Sequence, residues 1–109
     1  VRIAIIGTAI YKKQMQDYAR RLEGEGHYVT LPAFDDHPEL DELGVCEFNR
    51  KMIEGADEVH MFWNQRSVGT LFDFGMVFAL RKKLKIIYLE PKTFIGVMKK
   101  YCERFNDEG

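Results

Sequence analysis

The residues best suited to chemistry gather around a single carboxylate. Asp73 is the sole acid in the stretch Thr70-Leu71-Phe72-Asp73-Phe74-Gly75-Met76-Val77-Phe78-Ala79-Leu80. A carboxylate near the start of a buried helix can face a crevice, where it acts as a nucleophile or stabilises positive charge on a reacting sugar. Thr70 to Asp73 also have the spacing of a capping box, with aspartate in place of the usual Glu or Gln, so a structural role competes with the chemical one.

Two turns can bring a ligand to that acid. Ser67, Val68, Gly69 and Thr70 lead into the helix with two hydroxyls and exposed backbone donors, which suit a phosphate or carboxylate, and Gly69 permits close approach. An ordinary cap and turn would use the same residues, and the Gly-Lys-Ser/Thr ending of a Walker loop is missing. In Gly7-Thr8-Ala9-Ile10-Tyr11, Gly7 and Thr8 can touch a sugar or phosphate. Tyr11 can offer its hydroxyl to the reacting end of the ligand or be the first packing residue of its helix. This turn lacks Gly-x-Gly-x-x-Gly and so does not read as a dinucleotide site. Trp63 can stack on a base or cover the edge of the core, with Asn64 beside it. His60 lies inside a strand and reads as a packing residue with a satisfied nitrogen, ahead of a catalytic role. His27 and His37 have no partners at metal-ligand spacing, and neither a metal nor an organic cofactor is expected.

These residues need a scaffold of alternating strands and helices. Apolar runs at residues 1–6, 27–31, 58–63 and 84–89 read as strands. Helices are predicted over 12–23, from 44 or 45 to 54, over 70–82 and over 93–105. Met15, Tyr18, Ala19 and Leu22 form an inward stripe on the first, and Val45, Phe48 and Met52 do so on the second. Phe94, Val97, Met98, Tyr101 and Phe105 recur along the last, which Gly96 weakens, and residues 106–109 read as a frayed end. Gly24 and Gly26 stop the first helix. Residues 33–43, with Asp35, Asp36, Glu39, Asp41 and Glu42 around Pro38, read as a solvated loop, with a lid or specificity loop as the rival. The alternation predicts an α/β fold with right-handed crossovers. A mainly parallel four-stranded sheet in the order 2-1-3-4 would make a compact flavodoxin-like, Rossmann-like three-layer sandwich. Asn64 to Asp73 then lie outside the carboxyl end of the third strand, where open sheets of this kind bind ligands.

Composition narrows the class further. With 109 residues, 46% hydrophobic and 30% charged, the chain reads as one soluble globular domain, residues 1–109. A net charge of -1 argues against a dedicated nucleic-acid surface. The basic cluster Arg81, Lys82, Lys83 and Lys85 falls where positive charge would favour the carbonyl end of the third helix. No apolar run reaches the length of a membrane span, and Cys46 and Cys102 are too few for a disulfide scaffold, so a cytoplasmic location is expected.

Taken together, Gly55-Ala56-Asp57-Glu58-Val59, the run from Ser67 to Gly75, Ala79-Leu80-Arg81-Lys82-Lys83-Leu84-Lys85-Ile86-Ile87 and the Gly7 to Tyr11 turn resemble the nucleoside 2-deoxyribosyltransferase family. The resemblance extends to relatives that hydrolyse nucleotide N-glycosidic bonds, and it covers more than half the chain. It implies a nucleoside or nucleotide substrate, no cofactor, and a homodimer or higher homo-oligomer. Asp73 occupies the position of the family's nucleophilic glutamate, and Tyr11 that of the tyrosine near the anomeric carbon. Asn49 stands where relatives have an aspartate that assists leaving-group protonation. Ser67 is similar to the phosphate-binding serine of the monophosphate hydrolases, and Asp57 reads as structural. Two departures follow from chemistry: aspartate is one methylene shorter than glutamate, and asparagine cannot be a general acid. A nucleotide-binding or sensing module without turnover, and a structural interaction protein on the same fold, are the alternative readings.

Overall fold

A computed structural model of the chain describes residues 1–34, 38–88 and 94–106. Its sheet has four parallel strands in the order β2-β1-β3-β4, with β1 at Arg2–Ile6, β2 at Tyr28–Thr30, β3 at Glu58–Trp63 and β4 at Lys83–Tyr88. The helices are α1 (Lys12–Gly24), α2 (Glu42–Glu54), α3 (Val68–Ala79) and α4 (Phe94–Asn106). A 3-10 turn, Ala9–Tyr11, precedes α1. The predicted fold class and strand order are both present.

Strand alternation divides the core into two layers. Ile5 and Phe62 face α1, where Met15 and Ala19 close the first cluster. Ala4, Ile6, Val59 and Met61 face the other way, against Ile53 of α2 and Val77 of α3. Asp57 ties the entrance of β3 to β1: its Oδ2 accepts from the Arg2 amide at 2.8 Å, and its own amide donates to the Arg2 carbonyl at 2.8 Å. That is the structural role the sequence assigned to it.

Several boundaries differ from the sequence-based expectation, and capping side chains account for the main ones. α2 begins at Glu42 because Asp41 caps it, accepting from the Gly44 amide at 2.7 Å, so the acidic stretch gives its last residues to a helix. α3 begins two residues early, at Val68, and ends at Ala79 instead of 82. Arg81 takes a left-handed conformation (φ 54°) that breaks the helix. The basic cluster follows the end of α3 as expected, with one member turned elsewhere. Lys82 Nζ donates to the carbonyls of Glu54 and Ala56, both at 2.9 Å, and so serves the end of α2 instead of α3. β2 is shorter than expected, and β4 starts one residue earlier. Among the described residues of α4, Val97, Met98 and Tyr101 are exposed. Asp35, Asp36, His37, Leu89, the Glu90-Pro91 strand end and Thr93 lie outside the described residues.

Candidate active site

The carboxyl ends of β1 and β3 open onto the N-terminal end of α3, and the turns that follow them form the floor of a cavity. After β3, Asn64 folds its side chain back so that Oδ1 accepts from the amides of Arg66 (2.9 Å) and Ser67 (3.1 Å). Gln65 crosses this bend with φ 67°, a conformation held by those two bonds. The bend delivers Ser67 to the cap of α3, where its Oγ accepts from the Thr70 amide at 3.1 Å and from the Thr70 hydroxyl at 2.8 Å. Ser67 is therefore the capping residue, and the capping box expected at Thr70 to Asp73 does not form. This releases Asp73, on the second turn of the helix, from any duty to the helix end.

After β1, Gly7 must be glycine. A Cβ there would come within 3.0 Å of the Phe62 Cβ and 3.2 Å of the Phe62 carbonyl oxygen. That close approach seats the Gly7 turn directly beside β3. At Gly69 a Cβ would meet nothing within 4 Å, so the first turn of α3 has open space in front of it. The amides of Val68 and Gly69 occupy the first helical positions, where no intrahelical acceptor is available.

The resulting cavity is about 380 Å³, within the usual range for a small-molecule site. Its polar lining comes from Thr8, Asn49, Ser67, Thr70 and Asp73, with Gly7 and Gly69 between them. Pro32, Phe34, Val45 and Phe72 make an apolar wall, and Cys46 lies one turn before Asn49. At the edge of that wall, Lys12 Nζ sits 5.3 Å from the centre of the Phe34 ring.

Asp73 is 8% exposed and reaches this cavity from α3. Asn49, buried on α2, bridges to it: Nδ2 donates to Asp73 Oδ2 at 3.4 Å, while Oδ1 accepts from the Ala33 amide at 3.4 Å. Burial pushes the Asp73 carboxyl up to about 6, against the opposing pull of the Asn49 hydrogen bond, which favours the charged form. A carboxylate of that kind is mostly ionised at pH 7 yet weakly solvated, which suits a nucleophile. Among the described residues, no group of three or more His, Cys, Asp or Glu is placed to hold a metal ion.

Of the ten residues singled out from the sequence, the structure brings seven to the cavity: Gly7, Thr8, Asn49, Ser67, Gly69, Thr70 and Asp73. Three are placed elsewhere. Tyr11 packs against the Ile5, Met15 and Phe62 cluster, Trp63 packs against the opposite cluster, and Asn64 is occupied by its own turn. Sequence reasoning missed Pro32, Val45, Cys46 and Phe72 as wall residues, and reached Phe34 only through the specificity-loop reading of residues 33–43. The spacing of Cys46 three before Asn49, on one helix face, was an available signal.

No protein-family model and no curated protein matches the chain. Solved structures do. The 2-desoxiribosyltransferase from Leishmania mexicana superposes with a TM-score of 0.67 at 20% identity, over 80% of this chain and 63% of that one. This chain thus spans less than two-thirds of that enzyme. The 2-deoxyribosyltransferase from Bacillus psychrosaccharolyticus gives 0.69 at 17% identity, over 85% and 76%. The Clostridium botulinum CMP N-glycosidase BcmB gives 0.64 at 22% identity, over 84% and 72%. At such identities the likeness establishes a shared fold. Among the described residues, no helix is long and apolar enough to cross a membrane.

Proposed function

We propose that this protein cleaves, or transfers a base at, the N-glycosidic bond of a deoxynucleoside or deoxynucleoside 5′-monophosphate, with Asp73 as nucleophile. The observation that carries the reading is a weakly solvated carboxylate opening from α3 onto a nucleotide-sized cavity. An Asp73 oxygen attacks C1′ through an oxocarbenium-like transition state. The C1′–N bond breaks, and its electron pair leaves with the base, which takes a proton from solvent. Water then attacks C1′ of the ester, giving the free sugar and restoring Asp73; a second base attacking the same carbon completes transfer instead.

The first turn of α3 supports a phosphorylated substrate. The Val68 and Gly69 amides and the Ser67 hydroxyl stand at the positive end of the helix, an arrangement that suits a phosphate, while the Thr70 hydroxyl donates to Ser67 Oγ. One of the structurally similar proteins is a CMP N-glycosidase, in keeping with such a substrate. The base would lie against Phe34, Pro32 and Val45. Asn49 orients Asp73 and can donate a hydrogen bond, but no proton.

Incubation with a panel of deoxynucleosides and their 5′-monophosphates, with and without a second free base, tests the reading by chromatography of the released base. Wild-type protein releases or exchanges base, and Asp73→Asn does not. Equal release by the variant would contradict the role of Asp73. Saturable nucleotide binding with every glycosidic bond intact would favour a sensing module, the reading that Asn49 in place of an ionisable group keeps open.

A further inference from the structure

The face of the sheet turned away from Asp73 carries a second cavity. Gln14, Asp17, Tyr18 and Arg21 recur at three- and four-residue spacings on one side of α1. Across β3 from them lie Lys85 and Ile87 of β4, in register with His60 and Phe62. The groove between is about 430 Å³, within the usual range for a small-molecule site. Its floor is apolar and largely aromatic: Tyr18 and Phe62 meet edge to face with ring centres 5.5 Å apart, and Ile87 packs beside them. The Tyr18 hydroxyl is bound to His60 Nδ1, so the ring of Tyr18 is what it presents to a ligand. The rim is cationic. The Arg21 guanidinium lies 4.9 Å from the centre of the Tyr18 ring, and Lys85 stands exposed on the other side. Among the described residues neither has a carboxylate partner: Asp17, the one acid of the lining, pairs with Arg20 at 3.3 Å, and Glu58 of β3 is shared between His60 and Lys83.

We propose that this groove binds a small ligand with a flat apolar body and a single anionic group, held between Arg21 and Lys85. The body covers Phe62, Ile87 and the Tyr18 ring, which removes apolar surface from water. The anion meets two cations that no carboxylate neutralises, above a floor of low polarity that strengthens their attraction, and the Gln14 amide can donate to it. A neutral occupant would gain the floor alone. Phe62 joins the groove to the Asp73 cavity. Gly7, in the lining of that cavity, sits so close to Phe62 that a Cβ on it would come within 3.0 Å of the Phe62 Cβ. An occupant resting on Phe62 is therefore one residue away from the turn that lines the Asp73 cavity.

Two-dimensional amide NMR of the isotopically labelled chain, titrated with naphthoate and in parallel with the neutral naphthalenemethanol, tests the proposal. Naphthoate is expected to shift the amides of Tyr18, Phe62, Lys85 and Ile87 saturably, with a dissociation constant of roughly 0.1–1 mM, ordinary for so small a ligand. The alcohol with wild type, and naphthoate with Lys85→Glu, are each expected to bind at least ~10-fold more weakly. No saturable shift, as when α4 or another segment of the chain fills the groove, overturns the proposal. So do shifts confined to the Asp73 cavity, equal affinity for acid and alcohol, or a folded Lys85→Glu that binds naphthoate as tightly as wild type. Should Lys85→Glu fail to fold, Arg21→Gln on the exposed side of α1 replaces it with the same expectation. Binding is read without any glycosidic step, so the groove and the glycosidic chemistry fail separately.

Discussion

His60 and Asp73 are both polar side chains held in an apolar interior, on opposite faces of the same sheet, and the protein treats them in opposite ways. His60, 3% exposed, is bound at both ring nitrogens: Nδ1 to the Tyr18 hydroxyl at 2.5 Å and Nε2 to the Glu58 carboxylate at 2.6 Å. That hydrogen bond holds the Glu58 carboxyl below its ordinary range, against the effect of its burial. Asp73 has Asn49 at 3.4 Å and an open cavity beside it. Short, complete bonding fixes a side chain in place and leaves it nothing to offer a ligand. A carboxylate with one long bond and a space in front of it costs the fold stability, and it is the group that remains available for reaction.

The comparison breaks most visibly on activity. Asp73→Asn should lower base release by at least ~10³-fold, as loss of a nucleophile does, whereas His60→Ala should leave the rate per folded molecule unchanged. Asn49→Ala comes next. Removing the hydrogen bond that favours the ionised form should move the carboxyl further above 6 and cost roughly 10-fold at pH 6, where a lower fraction is ionised, and less at pH 8. In the wild type the rate should climb with pH through about 6 and then level off, because the charged form attacks.

Stability should separate the two residues in the reverse sense. His60→Ala leaves the Tyr18 hydroxyl and the Glu58 carboxylate without their buried partner and should destabilise the protein by about 2–3 kcal/mol, measured by urea unfolding. Asp73→Asn should stabilise it. The Asp73 carboxyl is raised in the folded state, so its ionisation opposes folding: stability falls as pH rises from the ordinary aspartate range through about 6, and is flat above. The variant lacks that fall and should be about 1–3 kcal/mol more stable than wild type at pH 7.5, with the gap closing near pH 3.5.

How far the sequence could be read depended on the range of the interactions involved. The succession of strands and helices was legible because apolar runs alternated with helix-length segments and glycine or proline breaks, which are local signals, whereas hydrophobicity supported the layers but could not prove the strand order. The start of α3 was not, because Val68 and Gly69 resemble turn residues and only the Ser67 side chain, bonded to Thr70, outweighs their weak helix propensity. Lys82 was misassigned because its acceptors lie at the end of α2, distant in sequence. At the site, position after a strand was enough to place Ser67, Gly69 and Gly7. It could not give direction: Trp63 and Tyr11 pack, half-buried, against the core, and Asn64 turns onto its own bend. The sequence also read α3 as a buried helix, and only the structure shows that one of its apolar faces lacks a cover within the described chain.

The most direct test of Asp73 as nucleophile is to trap the sugar on it. A deoxynucleoside 5′-monophosphate carrying fluorine at C2′ destabilises the oxocarbenium-like state and slows hydrolysis of the ester, so the glycosyl-protein should accumulate. Mass spectrometry of the intact chain and its peptides should then find one sugar phosphate per chain, on Asp73. Release of base from an unmodified protein, or an adduct on any other residue, would contradict the account.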